Sequence, residues 1–78
     1  MEYNKDKVDE AVLALLYLNI IGDEYGARVW KSFDWDAMDR LYEKGYISDP
    51  KSNAKSVFIS EEGIKRAEEL FRYFFVEE

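Results

Sequence analysis

The chain has 78 residues and a formal net charge of -6, with 47% hydrophobic, 36% charged and 17% aromatic residues and neither histidine nor cysteine. That composition describes one folded domain, 1–78, too apolar to be disordered and without the cysteines for disulfide bonds, and it removes the thiol nucleophile and the His or Cys ligands that zinc sites need. A sequence pI near 4.6 counts against a dedicated nucleic-acid domain, whose pI is usually high.

Asn4 or Asp6 can cap a first helix, and Asp9 and Glu10 suit the positive end of its dipole. Val8, Ala11, Val12, Leu15, Leu16 and Leu18 fall mostly at three- and four-residue spacing, so one broad face is buried. Leu13, Tyr17, Ile20 and Ile21 lie partly outside that stripe, which makes the helix either central or a contact for another subunit. The apolar run 11–21 is well short of the ~20 residues of a membrane helix, so it reads as a core segment and no membrane is expected. An acidic start without a small-residue cleavage site argues against a signal peptide, and the expected location is cytoplasmic. Gly22, Asp23, Glu24 and Gly26 then predict a stop near Ile21 and a turn. From 27 to 32 the sequence offers about two helical turns, with Val29 or Trp30 and Phe33 facing the first helix and Arg28 and Lys31 facing water.

Asp34 is the predicted cap of the next helix, whose inward edge is Ala37, Met38 and Leu41 with Trp35 and Tyr42 flanking it. Gly45 ends it, because a residue at positive φ is cheapest as glycine. A two-stranded hairpin is expected next, leaving through 46–48, turning through 49–54 and returning through 55–60. On the return strand Val57 and Ile59 share the buried face, which puts Phe58 on the face expected to be polar. Ser60 caps the last helix, Glu61 and Glu62 fill its first turn, and Ile64, Ala67, Leu70, Phe71 and Phe74 trace its buried stripe. Tyr73, Phe75 and Val76 lie off that stripe. An apolar surplus at the end of a final helix suits either a fold-back over the first helix or a subunit contact, and it is the reason to expect a homodimer.

The stretch MDRLYEKGYI followed by KSVFISEEGIKRAEEL resembles winged-helix proteins of the MarR and PadR type, in which a helix ends at a glycine, an apolar strand follows, and a wing returns to a Ser-Glu-Glu-Gly helix start. Gly45, Ile47, Val57, Ile59, Ser60 and Gly63 fit that spacing. The whole chain is also similar to a family of small bacterial proteins classed only as a domain of unknown function, which implies no activity. The winged-helix resemblance implies an α+β fold of three helices, a hairpin wing and a C-terminal helix, with 34–44 as a recognition helix in a helix-turn-helix and 49–54 as the wing tip. The charge departs from that pattern: Asp34, Asp36, Asp39 and Glu43 outnumber Arg40 and Lys44 on the helix that would enter the major groove. Conversely, residues 27–56 hold six basic and five acidic residues, whereas the rest holds five and twelve. A ridge of Arg28, Lys31, Lys51 and Lys55 is therefore the candidate contact to a DNA backbone.

No catalytic residues, cofactor or metal site are expected. Asp34, Asp36 and Asp39 fail the calcium-loop pattern, which requires glycine and glutamate where this chain has Asp39 and Gly45. Ser32, Ser48, Ser52, Ser56 and Ser60 sit at caps or turns with no histidine to activate them, and no phosphate-cradling loop or small-molecule substrate site is evident. Trp35, Tyr42, Tyr46 and Phe58 fall off the core spacing and form a candidate partner patch. The expected function is thus a non-catalytic interaction module that binds a protein partner or itself through Tyr73, Phe75 and Val76; the alternative is a dimeric DNA-binding transcriptional regulator using wing and helix-turn-helix.

Overall fold

The computed structural model describes residues 1–23, 26–31 and 34–77. The fold is α+β, with three helices and one three-stranded antiparallel sheet, an arrangement compatible with the winged-helix-like class.

Helix α1 spans Lys5–Leu16, and the Asn4 side chain caps it by accepting from Lys7 N at 3.1 Å. The helix ends well before Ile21, because a tighter 3₁₀ turn at Tyr17–Asn19 takes over. With three residues per turn instead of 3.6, that segment shifts the phase of the apolar stripe. Leu18, expected inside, is consequently exposed, while Leu13, upstream of that turn, is core because α1 lies against both α2 and α3. The remainder of the apolar run becomes strand β1, Ile21–Asp23.

Residues Gly26–Trp30 form strand β2, which corrects the helix expected over 27–32; the parts of that expectation that rest on Ser32 and Phe33 lie outside the described residues. Alternation is the physical reason. Val29 is fully buried while Trp30 is half exposed, as befits the two faces of a pleated strand. The first helix of a helix-turn-helix pair is accordingly absent from these residues, and a β1–β2 ribbon stands in its place, with Ile21 opposite Arg28 and Asp23 opposite Gly26.

Helix α2, Trp35–Glu43, begins where the Asp34 side chain accepts from Asp36 N and buries Ala37, Met38 and Leu41 as expected. Gly45 follows at φ +80°, the left-handed conformation that ends the helix. The outgoing segment is not a full strand. It touches the return strand through one bridge, Ile47 opposite Ile59. The return strand β3, Ser56–Phe58, instead takes β2 as its ladder partner, with Arg28 opposite Phe58, Val29 opposite Val57 and Trp30 opposite Ser56. Sheet order is β1-β2-β3.

Ser60 caps α3, Glu61–Phe75, by accepting from Gly63 N at 3.0 Å while its hydroxyl donates to Gly45 O at 2.8 Å. One serine thus ties the start of α3 to the end of α2. Helix α1 packs against both α2 and α3. Val29, Val57, Ile47 and Ile59 close the same core from the sheet side, joining Leu13, Leu16, Met38, Leu41 and Leu70. Phe74, expected in the buried stripe of α3, is 43% exposed.

Candidate interaction surface

The sheet has one face on the core and one in water, and sequence alternation decides which side chains each receives. On β2, Val29 points in and Arg28 and Trp30 point out. Directly opposed residues of antiparallel strands share a face, so Ile21, Arg28 and Phe58 form one row across all three strands, with Trp30 beside it. Ile21 is 51%, Trp30 50% and Phe58 42% exposed. Three large apolar side chains therefore stand where a solvated sheet usually carries polar ones.

Arg28 is pinned within this row. Its guanidinium carbon lies 4.1 Å from the centroid of the Phe58 ring, its Nε donates to Ser56 Oγ at 2.7 Å and its Nη2 donates to Ser56 O at 2.8 Å. A planar cation over an aromatic face is attracted by the ring quadrupole, and two hydrogen bonds fix its orientation. The result is a sheet face that is apolar to touch with one anchored positive charge in its row.

The other cations of the expected ridge gather at one end of the β2–β3 ladder. Lys31 N donates to Lys55 O at 3.0 Å, and Lys31 Nζ donates to Ser52 O beside Lys51. Lys51 and Lys55 are both exposed. The turn at 49–54 is held by Asp49, whose side chain accepts from Lys51 N at 2.9 Å, and by Pro50, which is buried.

The cations of α2 behave differently. Arg40 and Lys44 both turn inward to the buried Asp9 of α1, Lys44 at 3.3 Å. Hydrogen bonding to Asp9 raises the Arg40 pKa above its ordinary value; burial opposes the shift, and the charges of Asp9, Asp34 and Asp36 reinforce it. Toward solvent α2 shows Asp36 and Glu43, with Asp39 half-buried and Lys44, at its C-terminal end, still 40% exposed. A cleft of about 270 Å³ opens beside Asp9 over Leu13, Leu41 and Leu70. Its charges are matched internally, Lys44 also lying 3.7 Å from Asp6 and Arg66 lying 3.4 Å from Glu10.

Of the aromatic patch expected from sequence, Trp35 (63%) and Tyr42 (46%) are exposed on α2, while Tyr46 is half-buried against the core. Ring contacts among the described residues do not join these two to Phe58, which sits instead with Arg28. Sequence reasoning left Ile21 and Trp30 out of the surface. The signal was present as the alternation Ala27, Arg28, Val29, Trp30, which a two-turn helix also accommodates.

At the far end of α3, Tyr73 is 80%, Phe75 49% and Val76 41% exposed, and Leu18 adds a further apolar side chain to the surface. A run of rings at 5.2 to 5.9 Å separation, Tyr17, Phe71, Phe75, Phe74 and Tyr73, links this end of α3 to α1. Phe71, of the expected buried stripe, packs on Tyr17, while Tyr73 stays in solvent. Among the described residues no helix is long and apolar enough to cross a membrane.

Comparison with known proteins supplies a family and no activity. The chain is 48% identical over 75 residues to the "Uncharacterized protein y4hR" of Sinorhizobium fredii (strain NBRC 101917 / NGR234), covering 96% of this chain and 97% of that protein. No solved structure matches it. A family profile covers residues 4–77, and by that match the chain belongs to DUF6429, a domain of unknown function.

Proposed function

We propose that the domain is a non-catalytic interaction module whose protein partner docks on the outer face of the sheet. One observation carries this: the row Ile21, Arg28, Phe58 with Trp30 beside it, three apolar side chains between 42% and 51% exposed around one anchored arginine. Aromatic residues and arginine are the residue types over-represented where proteins bind each other. Catalysis is set aside because the chain has no histidine or cysteine and the charged groups of the interhelical cleft neutralise one another. Self-association belongs to the same proposal, through Tyr73, Phe75 and Val76.

The alternative, a DNA-binding regulator, is favoured by the exposed lysines at the end of the β2–β3 ladder. Against it stands α2, which spends both cations on Asp9 and presents carboxylates to any phosphate. Affinity capture from cells that encode the protein, comparing wild type with a Trp30→Ser, Phe58→Ser variant, tests the proposal beside a titration with mixed duplex DNA at low and physiological salt. Proteins retained by wild type and lost with the variant are expected, with DNA binding absent even at low salt. Identical capture by both chains, or DNA affinity with a steep salt slope, overturns it.

A further inference from the structure

Two apolar surfaces of opposite charge stand on this molecule, and each is what the other lacks. The sheet face carries Ile21, Trp30 and Phe58 with Arg28 among them and Lys31, Lys51 and Lys55 at its end. The C-terminal end of α3 carries Tyr73, Phe74, Phe75 and Val76, and residues 68–77 hold three glutamates against one arginine. Arg72 lies 3.4 Å from Glu68 and Arg66 lies 3.3 Å from Glu69, so the net negative charge of this end rests on Glu77. The two surfaces cannot meet within one copy. Helix α3 starts at Glu61, three residues after Phe58, and its 15 residues carry the aromatic end about 22 Å away at 1.5 Å per residue.

We infer that the sheet face receives the C-terminal end of α3 from a second copy of this chain, so that the subunits join head to tail. The inference rests on the sheet-face proposal and names its occupant. Charge selects this geometry over a two-fold one. A two-fold interface presents the same patch from both copies, so pairing two α3 ends brings two net-negative surfaces together and pairing two sheet faces brings together two sets of Arg28 and lysines; each juxtaposition of like net charge is unfavourable. Head-to-tail contact matches acidic aromatic to basic apolar instead. It also leaves one unused surface of each kind at the ends of any open chain of subunits, so association does not stop at two copies unless the ring closes.

Complementation between two variants tests this. One is Trp30→Ser, Phe58→Ser on the sheet; the other is Phe75→Asp, Val76→Asp on α3. All four side chains are at least 40% exposed, and circular dichroism confirms that each variant is folded; Tyr73→Asp replaces the second variant if it is not. Sedimentation of wild type is expected to show a mass that climbs beyond two chains with concentration and falls at least tenfold in association constant between low and high salt. Each variant alone is expected to remain a monomer, and their mixture to form a one-to-one pair that grows no further, since only one intact surface of each kind remains. Three results overturn the inference: wild type monomeric at high concentration, a sheet variant that still self-associates, or a mixture that does not pair. Any of these leaves the sheet face open to a different protein, whereas unchanged capture by the sheet variant removes the sheet-face proposal as well.

Discussion

Arg40 on α2 holds Asp9 on α1 through a single nitrogen, its Nε donating to both carboxylate oxygens at 2.9 and 2.8 Å. Asp9 is 1% exposed and is the buried charge around which α1 meets α2. Removing one member of such a pair strands the other, at a cost of about 3 kcal/mol; replacing both by apolar residues of similar volume costs much less. Arg40 Nη2 is buried without a partner among the described residues, which lowers the net worth of the intact pair. Asp9→Leu and Arg40→Met should each lower the denaturation midpoint clearly, and the double variant should recover a large part of either loss. A double variant as unstable as the sum of the two singles would show that the pair contributes through something other than mutual charge compensation.

The same pair sets an expectation for pH. Arg40 has a raised pKa in the folded state, so its contribution is fully present below the arginine value of the unfolded chain and is lost only as pH climbs through the higher folded value. The Arg40 guanidinium therefore keeps its charge near neutrality. Urea midpoints measured from about pH 7 to about pH 9 should be flat, since arginine stays charged throughout that window. A drop across that window would point to a titrating group elsewhere.

Gly63 is required by contact and Gly45 by backbone angle, and the two should respond differently to alanine. A Cβ at Gly63 would overlap the Tyr46 carbonyl oxygen and come within 2.9 Å of Ile59 Cγ1. The first turn of α3 therefore presses directly on the segment leaving α2. Gly63→Ala should cost about 2 kcal/mol or more, as overpacking against backbone does. Gly45, at φ +80°, has open space around it, so Gly45→Ala should cost only about 1 kcal/mol, the strain of a left-handed residue with a Cβ. Equilibrium unfolding of the two variants checks the order.

The elements that could be read from sequence are those fixed by a single residue. Asn4, Asp34 and Ser60 each cap a helix with their own side chain, and Gly45 ends one with its positive φ; such signals act within four residues and need no tertiary context. Strand β2 was hidden for the opposite reason. Five residues with an Ala and an Arg fit a helical turn as well as a strand, and what decides is pairing with β3, almost thirty residues later. The expected surface was incomplete by the same mechanism. Phe58 betrayed itself as an apolar residue on the polar side of its strand, but Ile21 and Trp30 become surface only once β1 and β2 are known to be strands. Leu18 left the core because a 3₁₀ turn changes helical phase without any glycine or proline to announce it, and Leu13 joined the core because α1 is buried against two helices at once.

The two tryptophans report on the sheet face without any partner being identified. Trp30 is 50% and Trp35 63% exposed, so the emission of the isolated domain should lie toward the water-exposed end and be readily quenched by iodide. Trp30 stands beside Arg28 and Phe58, whereas Trp35 stands at the start of α2. Occupation of the sheet face should thus blue-shift and protect the Trp30 component and leave Trp35 as it was. With Trp35→Phe the whole signal comes from Trp30, and a protein concentration series gives the self-association directly. Protection in Trp30→Phe instead would place the contact on α2, because the remaining indole then belongs to Trp35. Lys51→Glu with Lys55→Glu should leave the fold intact, both side chains being exposed, while weakening the concentration-dependent protection of Trp30 most strongly at low salt, where screening is least.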